Sequence, residues 1–529
     1  MKPALKMKTA LKRIILLLIA AVLVVSVPPP LTAGEKTISL PQAISKTIEI
    51  NAGIKIQATT VDQQAGAVQT AQGEFDWFLY GGLSREEAKT PLPQADQATL
   101  NGRVIDEAQE KATVYAAGAT KKFRNGIVIE PSVSSTDYEN NTKRQDPINQ
   151  SDLTVELVFP LMRGSGEQYT LAGERSAQTD LAAVQSLSTH NIANRIFNTA
   201  SAYWGCLAAR QQNDILSDSQ RRTNEIFQLV ELLVKGGEIE PALLRQARAE
   251  LYSRRADLVD GQRTLTASRL ALAAAIGFSP DESQDPPVAE GSFPTTVDDS
   301  LFTETAAAGY VQKSLLRRGD YLAARKTVDS KKILLDKALN GTRPRVDFTV
   351  RAGYAGLDES LDGSRFYGSF SRNASGLNTY AGIRMELPVR NDVAWGEVRT
   401  RRAVVREAEL NAEDLGNNLA AQVRITLSNL KAAIRQYGLA RNAAGEYRLS
   451  LDHLGRKVKG GEASLTDLID MEDRYLKARI AEIEALRKYA VAIVELRFVT
   501  GSLLTRESDH LRFRVSDLTI PPPWDDHRK

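Results

Sequence analysis

The stretch Lys235–Leu251 reads KGGEIEPALLRQARAEL, and the stretch Lys459–Leu476 reads KGGEASLTDLIDMEDRYL. The same four residues, Lys-Gly-Gly-Glu, therefore open two long segments in different halves of the chain. Each segment closes on a glycine, Gly277 in the first half and Gly501 in the second. A long repeat with matched glycines and helical patterns predicts an internally duplicated domain.

Upstream of each segment, apolar and polar residues alternate with a period of two, which predicts β-strands. These runs are Leu153–Phe159, Arg345–Arg351 and Gly382–Leu387, and Phe75–Leu79 opens the matching first strand. The alternation fits a half-buried sheet, and it also fits a membrane barrel with lipid outside and water inside. A further hairpin, Tyr115–Phe123 with Gly126–Tyr138, is predicted in the first half only.

Helical periodicity is strong in the remaining segments. Ser39–Gln72 and its duplicate Ser314–Leu339 read as helices. Gly166–Lys235 and Val393–Lys459 contain no proline, and each would be about 100 Å long if fully helical. The returning helix of the first half has a leucine every seven residues, which predicts a left-handed supercoil. The leucines of this row are Leu244, Leu251, Leu258, Leu265 and Leu272.

Composition and the N-terminal segment limit the classes of protein that the chain can belong to. The chain has 529 residues and a net charge of +3, which gives no strong electrostatic case for binding nucleic acid. A basic start and an apolar run from Ile14 to Val27 predict a signal peptide cleaved after Ala33. An uncleaved anchor helix is the alternative. The single cysteine, Cys206, excludes an intrachain disulfide and is interpreted as a small buried residue.

The domain organisation follows from these patterns. The prediction is a signal peptide at 1–33, a first repeat at 34–280, a proline-containing linker at 281–310, a second repeat at 311–504, and a poorly ordered tail at 505–529.

In this order, the elements resemble the TolC-type outer-membrane efflux proteins. The resemblance rests on the opening LPQAISKTIEINAGIKIQ, the junction FPLMRGSG, the two Lys-Gly-Gly-Glu segments and the two closing glycines, and it covers about Ile38 to Leu504. It implies an α+β membrane protein in which three chains share one β-barrel. Each chain would give about four strands to a 12-stranded barrel, and the helices would continue it as a coiled-coil periplasmic tunnel. Four strands cannot close alone in lipid, so oligomerisation is required if they lie in a membrane.

The implied function is an outer-membrane channel of a Gram-negative-type bacterium. It would give a passive duct from periplasm to exterior within a tripartite export system, which includes small-molecule efflux and type I secretion. Its partners would be two further copies of the chain, a periplasmic adaptor protein, an inner-membrane pump of RND or ABC type, and outer-membrane lipid. No cofactor or metal is expected.

The resemblance also implies a pore constriction at the helical tips. Asp467 and Asp470 fall on positions where the family has two aspartates that line the closed entrance. They lie three residues apart, so they face the same side of a helix. Asp467 could instead be an N-terminal helix charge favoured by the macrodipole. At the first tip the matching position is Leu243, which predicts a partly apolar constriction, and Ala463 replaces the family's basic residue.

The two turns themselves are predicted to dock the adaptor. Their residues are Lys235, Gly236, Gly237, Glu238, Lys459, Gly460, Gly461 and Glu462. Because both copies present the same four residues, three subunits would offer six near-equivalent sites to a symmetric partner.

Two other classes of protein are less consistent with the sequence. A periplasmic coiled-coil adaptor or scaffold would need one hairpin between compact β modules, whereas this chain has two hairpins, each preceded by strands. An enzyme is not expected, because the four histidines are scattered and no phosphate-binding loop or nucleophile elbow is present. The Arg163–Gly166 stretch lacks the length and lysine of a phosphate loop and is interpreted as a tight turn.

Overall fold

The computed structural model describes residues 36–100, 103–141, 147–295, 299–360, 362–460, 462–507, 512–515 and 517–524. The predicted signal peptide at 1–33 lies outside these residues. Within the described part of the chain, no helix combines the length and apolar character needed to cross a bilayer.

The helices follow the predicted duplication. They are α1 (Leu40–Ile50), α2 (Ala52–Gln72), α3 (Glu167–Thr170), α4 (Ala172–Lys235), α5 (Pro241–Ile276), α6 (Glu304–Arg317), α7 (Gly319–Gly341), α8 (Arg365–Gly368), α9 (Asp392–Lys459) and α10 (Leu465–Val499). The long helices α4 and α9 contain 64 and 68 residues and are unbroken. The predicted helices Ser39–Gln72 and Ser314–Leu339 are each split into two. The splits lie at Asn51 and at Arg318, where one residue adopts an extended backbone conformation.

The strands are β1 (Thr37–Ile38), β2 (Trp77–Pro91), β3 (Ala98–Leu100), β4 (Arg103–Ile105), β5 (Glu107–Lys122), β6 (Val128–Asn140), β7 (Ile148–Pro160), β8 (Val288–Ala289), β9 (Arg345–Asp358), β10 (Asn378–Glu386), β11 (Leu504–Glu507) and β12 (Arg512–Val515). Contacts cluster the chain into two compact units. One contains Met1–Asn51, Ile196–Val297 and Ala432–Val491, and the other contains Ala52–Arg195, Asp298–Lys431 and Ala492–Lys529.

The second unit contains a six-stranded antiparallel sheet in the order β10-β9-β7-β6-β5-β2. The expectation of about four strands per chain is therefore wrong for this sheet. The predicted extra hairpin, β5 with β6, inserts between β2 and β7 and pairs along most of its length with both. Its strands contain 16 and 13 residues, similar to the lengths of β2 and β7.

The two faces of this sheet differ in chemistry, because side chains alternate along each strand and paired residues share a face. The apolar face carries Leu79, Leu83, Ile129, Val133, Leu153, Val155, Leu157, Val350, Ala352 and Ile383. The polar face carries Tyr80, Glu130, Ser132, Thr154, Glu156, Arg351 and Arg384. On the polar face, Arg351 Nε donates to Glu156 at 2.8 Å.

Each end of the apolar face carries aromatic side chains. At the end nearest the long helices, Lys121 Nζ lies 5.4 Å from the Trp77 ring centroid. At the other end, the connection between β9 and β10 packs back on the sheet. There Phe366 meets Tyr115 edge to face at 5.2 Å, and Arg365 pairs with Asp137 at 2.8 Å.

The closing glycines have a steric role. Gly277 has φ +98° and Gly501 has φ +64°, the left-handed region that favours glycine. A Cβ on Gly277 would lie 2.9 Å from Asn51 Cα, at the break between α1 and α2. A Cβ on Gly501 would lie 2.8 Å from Arg318 N, at the break between α6 and α7. Each repeat thus ends by packing a glycine against the residue at which its own helix is split.

The predicted linker and tail contain more structure than the sequence suggested. Within 281–310, β8 pairs in parallel with β1, and α6 begins at Glu304. In the tail, β11 pairs with β12. Further on, the Tyr310 hydroxyl donates to Pro522 O at 2.6 Å. The expectation of a poorly ordered tail is wrong for its described residues 517–524. Leu518 is buried, the carbonyls of Pro522 and Pro523 accept hydrogen bonds from α6, and the carbonyl of Ile520 accepts one from Arg497 of α10.

Candidate entrance and docking tips

The first tip is the turn between α4 and α5. Glu238 N donates to Leu233 O at 3.0 Å, and Gly236 N donates to Leu232 O at 3.0 Å, so the turn satisfies the last carbonyls of α4. Gly237 has φ +76° and is the residue of this turn that needs to be glycine. Pro241 then starts α5, where a missing N–H costs nothing.

The second tip, between α9 and α10, repeats this backbone arrangement. Glu462 N donates to Lys457 O at 2.9 Å, and Gly460 N donates to Arg456 O at 3.2 Å. The predicted residue Gly461 lies outside the described residues. Ser464 Oγ accepts from Thr466 N at 3.1 Å and caps the start of α10. The two turns therefore present a similar main chain, as the duplicated sequence predicts.

An apolar cluster joins the two tips. Its buried members are Val230, Ala247, Val458, Leu465 and Leu468. Leu243 and Ala463 are partly buried and pack against this cluster. The predicted constriction residue of the first tip is therefore involved in holding the two hairpins together, and its place in the pore stays a prediction.

The two predicted aspartates differ in their surroundings. Both are exposed on the first turns of α10. Asp470 pairs with Arg474 at 2.8 Å on the same helix. Asp467 has no ion-pair partner among the described residues, and it lies in the first turn, where the helix dipole favours a negative charge. Asp467 is therefore the less neutralised of the two charges.

A buried ionic cluster of Glu472, Ser219 and Arg222 was not predicted from the sequence. Glu472 of α10 is 2% exposed and accepts hydrogen bonds from Ser219 Oγ at 2.9 Å and from Arg222 Nη2 at 2.9 Å. Both donors lie on α4. Burial favours a neutral Arg222 guanidinium, but the hydrogen bonds to Glu472 and the attraction of its carboxylate together outweigh burial and raise the pKa of Arg222. This cluster ties the second hairpin to the first.

A second link lies alongside it, between α5 and α10. Arg254 Nη2 donates to Asp473 at 2.8 Å, and its two other carboxylate partners, Glu250 and Asp257, are on α5 itself. Burial opposes ionisation of Asp473, but hydrogen bonds from Lys477 and Arg254 outweigh burial and hold the pKa of Asp473 below its ordinary value.

A sequence signal for both links does exist. Glu472 lies seven residues after the buried Leu465 and four before the buried Leu476. Arg254 lies after the buried residues Ala247 and Leu251 and before Leu258 of the leucine row. Charged residues at seam positions of a heptad need a partner on the facing helix. A charged residue that interrupts an apolar seam is therefore the signal for these links.

The tips thus combine two similar turns, an apolar cluster, unequal aspartates and charged links between hairpins. This arrangement can hold or move helices and present charge. Among the described residues, no group of three histidine, cysteine, aspartate or glutamate side chains is placed to hold a metal ion.

Comparison with known proteins is consistent with this architecture. The chain is 25% identical over 313 residues to the proteases secretion protein PrtF of Dickeya chrysanthemi, a match that spans 57% of this chain and 63% of that protein. It superposes on the CmeC outer membrane channel of Campylobacter jejuni with a TM-score of 0.62, at 16% identity, over 88% of this chain and 85% of that one. For the outer membrane protein VceC of Vibrio cholerae the TM-score is 0.61, at 16% identity, over 87% and 96%.

These structural likenesses show the fold. The family follows from the sequence, because the model of the family described as outer membrane efflux protein matches residues 127–278 and 310–502, more than half of the chain. Members of this family are transport channels of the outer membrane, which agrees with the location expected from the sequence. The chain belongs to the outer membrane efflux protein family.

Proposed function

We propose that three copies of the chain form an export duct across the outer membrane, with the sheets of the three copies joined edge to edge. The observation that carries this proposal is the six-stranded sheet, which has one apolar face and ends in β2 and β10. The outer edges of these strands have no partner among the described residues. In lipid an open edge costs several kcal/mol for each unpaired group, which favours closure with further copies.

The faces of the sheet support this placement. The apolar face suits lipid, and aromatic residues at both of its ends suit the two membrane–water interfaces. The polar face, with its Arg351–Glu156 pair, suits a water-filled lumen.

The strand number alters the expected barrel. Six strands from each of three subunits would make eighteen, where the resemblance implied twelve. The strands β2 and β10 run in opposite directions, so their edges can pair as antiparallel neighbours and give an even-numbered barrel. Barrel diameter grows roughly in proportion to strand number, so the barrel would be wider than expected.

The tips would form the periplasmic entrance. In a trimer, three copies of Asp467 would converge near the axis and favour cations. Asp470 would contribute less negative charge, because Arg474 pairs with it. Leu243, packed against the apolar cluster, would limit how far the hairpins separate.

The same tips would receive the other parts of the export system. The two turns present similar main chains, so a periplasmic adaptor could engage both with one kind of contact. An inner-membrane pump of RND or ABC type would deliver the cargo to this duct. The likeness to a protease secretion protein makes secreted polypeptides the first cargo class to test.

The entrance is tested by conductance in planar bilayers. We expect the unmodified protein to conduct and to prefer cations. Asp467→Asn should reduce that preference more than the matched control Asp470→Asn, because Asp470 is already paired. A protein that does not conduct would overturn the duct, and equal selectivity in all three proteins would overturn the role of Asp467.

A further inference from the structure

The first turns of α9 carry an exposed stripe in which a tryptophan is followed by three arginines. Trp395, Arg399, Arg402 and Arg406 are all exposed. Their spacings of four, three and four residues place them on one side of a helix. Val398 and Val405, buried at 2% and 7% exposure, hold the neighbouring side of α9 against the protein.

Along the chain, this stripe follows a segment with exposed apolar residues. After Ile383 and Met385 of β10 come the exposed residues Leu387, Val389 and Val393. The two charged residues between Leu387 and Val393, Arg390 and Asp392, pair with each other at 3.1 Å. Val389 is 98% exposed and Val393 is 89% exposed. A run of apolar residues, then a tryptophan, then arginines is the order met on passing from the hydrocarbon region of a membrane into its headgroups.

The arginines of the stripe have few partners within the chain. Arg399 and Arg402 form no ion pair among the described residues. Arg406 approaches Glu409 only to 3.8 Å, and Lys332 takes the same carboxylate at 3.0 Å. On another side of the helix, Arg401 pairs with Glu397 at 2.6 Å. The stripe therefore offers unneutralised guanidinium groups on one surface.

We propose that this stripe binds the phosphate headgroups of anionic phospholipids in the leaflet nearest the long helices. Arginine matches phosphate because its planar guanidinium can donate two parallel hydrogen bonds. Lys121 and Trp77 lie at the end of the apolar face nearest the long helices and would add a second basic and aromatic contact to the same leaflet. The inference rests on the proposed function, which places the apolar face in lipid.

The experiment uses the full-length protein in phosphatidylcholine nanodiscs that contain a minor fraction of phosphatidylglycerol. Native mass spectrometry counts the phosphatidylglycerol molecules retained by the protein. The test variant is Arg399→Gln with Arg402→Gln. The matched control is Arg441→Gln with Arg448→Gln, which removes the same charge from exposed positions farther along α9.

We expect the test variant to lose affinity for phosphatidylglycerol about fivefold for each arginine removed, and the control to retain it. Equal retention in both variants would overturn the proposal. A loss of oligomer stability that is the same with and without phosphatidylglycerol would also overturn it, because the stripe would then contact a second copy of the chain. Failure of the proposed function would appear differently, as a protein that enters no nanodisc at all.

Discussion

Replacing Glu472 by glutamine should loosen α10 from α4. The substitution keeps the shape of the side chain but removes the charge that accepts hydrogen bonds from Ser219 and Arg222. Removing one partner of a fully buried ion pair costs roughly 3–5 kcal/mol. The Arg222 side chain is 30% exposed and can regain some hydration, so we expect about 2–3 kcal/mol.

Hydrogen exchange measures this change directly. If the amides of α10 near Glu472 exchange through local opening, a loss of about 2–3 kcal/mol accelerates their exchange by roughly thirty- to a hundred-and-fiftyfold. The peptide covering residues 465–480 is the region to follow by mass spectrometry. The same variant should also raise channel leak, because the second hairpin is less firmly held to the first.

A matched control lies on the same helix. Glu482 is also mostly buried, but its partner Arg479 is on α10 itself, at 2.6 Å. Glu482→Gln should therefore leave the link between hairpins intact and change exchange near residue 472 only slightly. If Glu472→Gln accelerates exchange no more than Glu482→Gln does, the reasoning about the cross-helix link is refuted.

Three further predictions concern the repeat and the tips. Gly277→Val should destabilise the protein by at least ~1–3 kcal/mol, because a Cβ meets Asn51 and φ is positive; thermal unfolding of the purified protein that matches the unmodified protein would contradict this. Below about pH 4, protonation of Asp473 should weaken the α5–α10 link, since its pKa is lowered by folding and the stability it adds is lost as pH falls through that value; hydrogen exchange of α5 as a function of pH measures it, and a pH-independent rate of opening would contradict it. Gly236→Val with Gly460→Val should abolish export, because the added side chains change the turns at which the adaptor is proposed to dock. The oligomer should persist, because neither residue has a positive φ and the added Cβ atoms would lie no closer than 3.5 Å to a neighbouring atom. Normal export would count against docking at the tips.

Much of the architecture could be predicted from periodicity. The repeated Lys-Gly-Gly-Glu located both reversals of the long helices, and the alternating runs located β7, β9 and β10. The hairpin of β5 and β6 was also located from its pattern. Its entry into the main sheet was not, because pairing depends on strand length and neighbours that a local pattern does not contain.

The ionic contacts between different helices could be predicted least. Within one helix, the four-residue spacing of Asp470 and Arg474 already favours the pair that the structure shows, and Asp467 has no basic residue at that spacing. The Glu472–Arg222 link joins helices that are far apart in the chain, so no spacing rule within one helix could indicate it. The packed tail is a similar case, because its prolines suggested disorder while their carbonyls accept hydrogen bonds from α6.

The central claim is that separate copies of the six-stranded sheet close one barrel in the outer membrane. The mass of the purified protein in detergent, measured with the detergent contribution subtracted, tests it most directly. We expect three copies of the chain and a requirement for detergent throughout purification. A monomer that remains soluble in water without detergent would contradict the account.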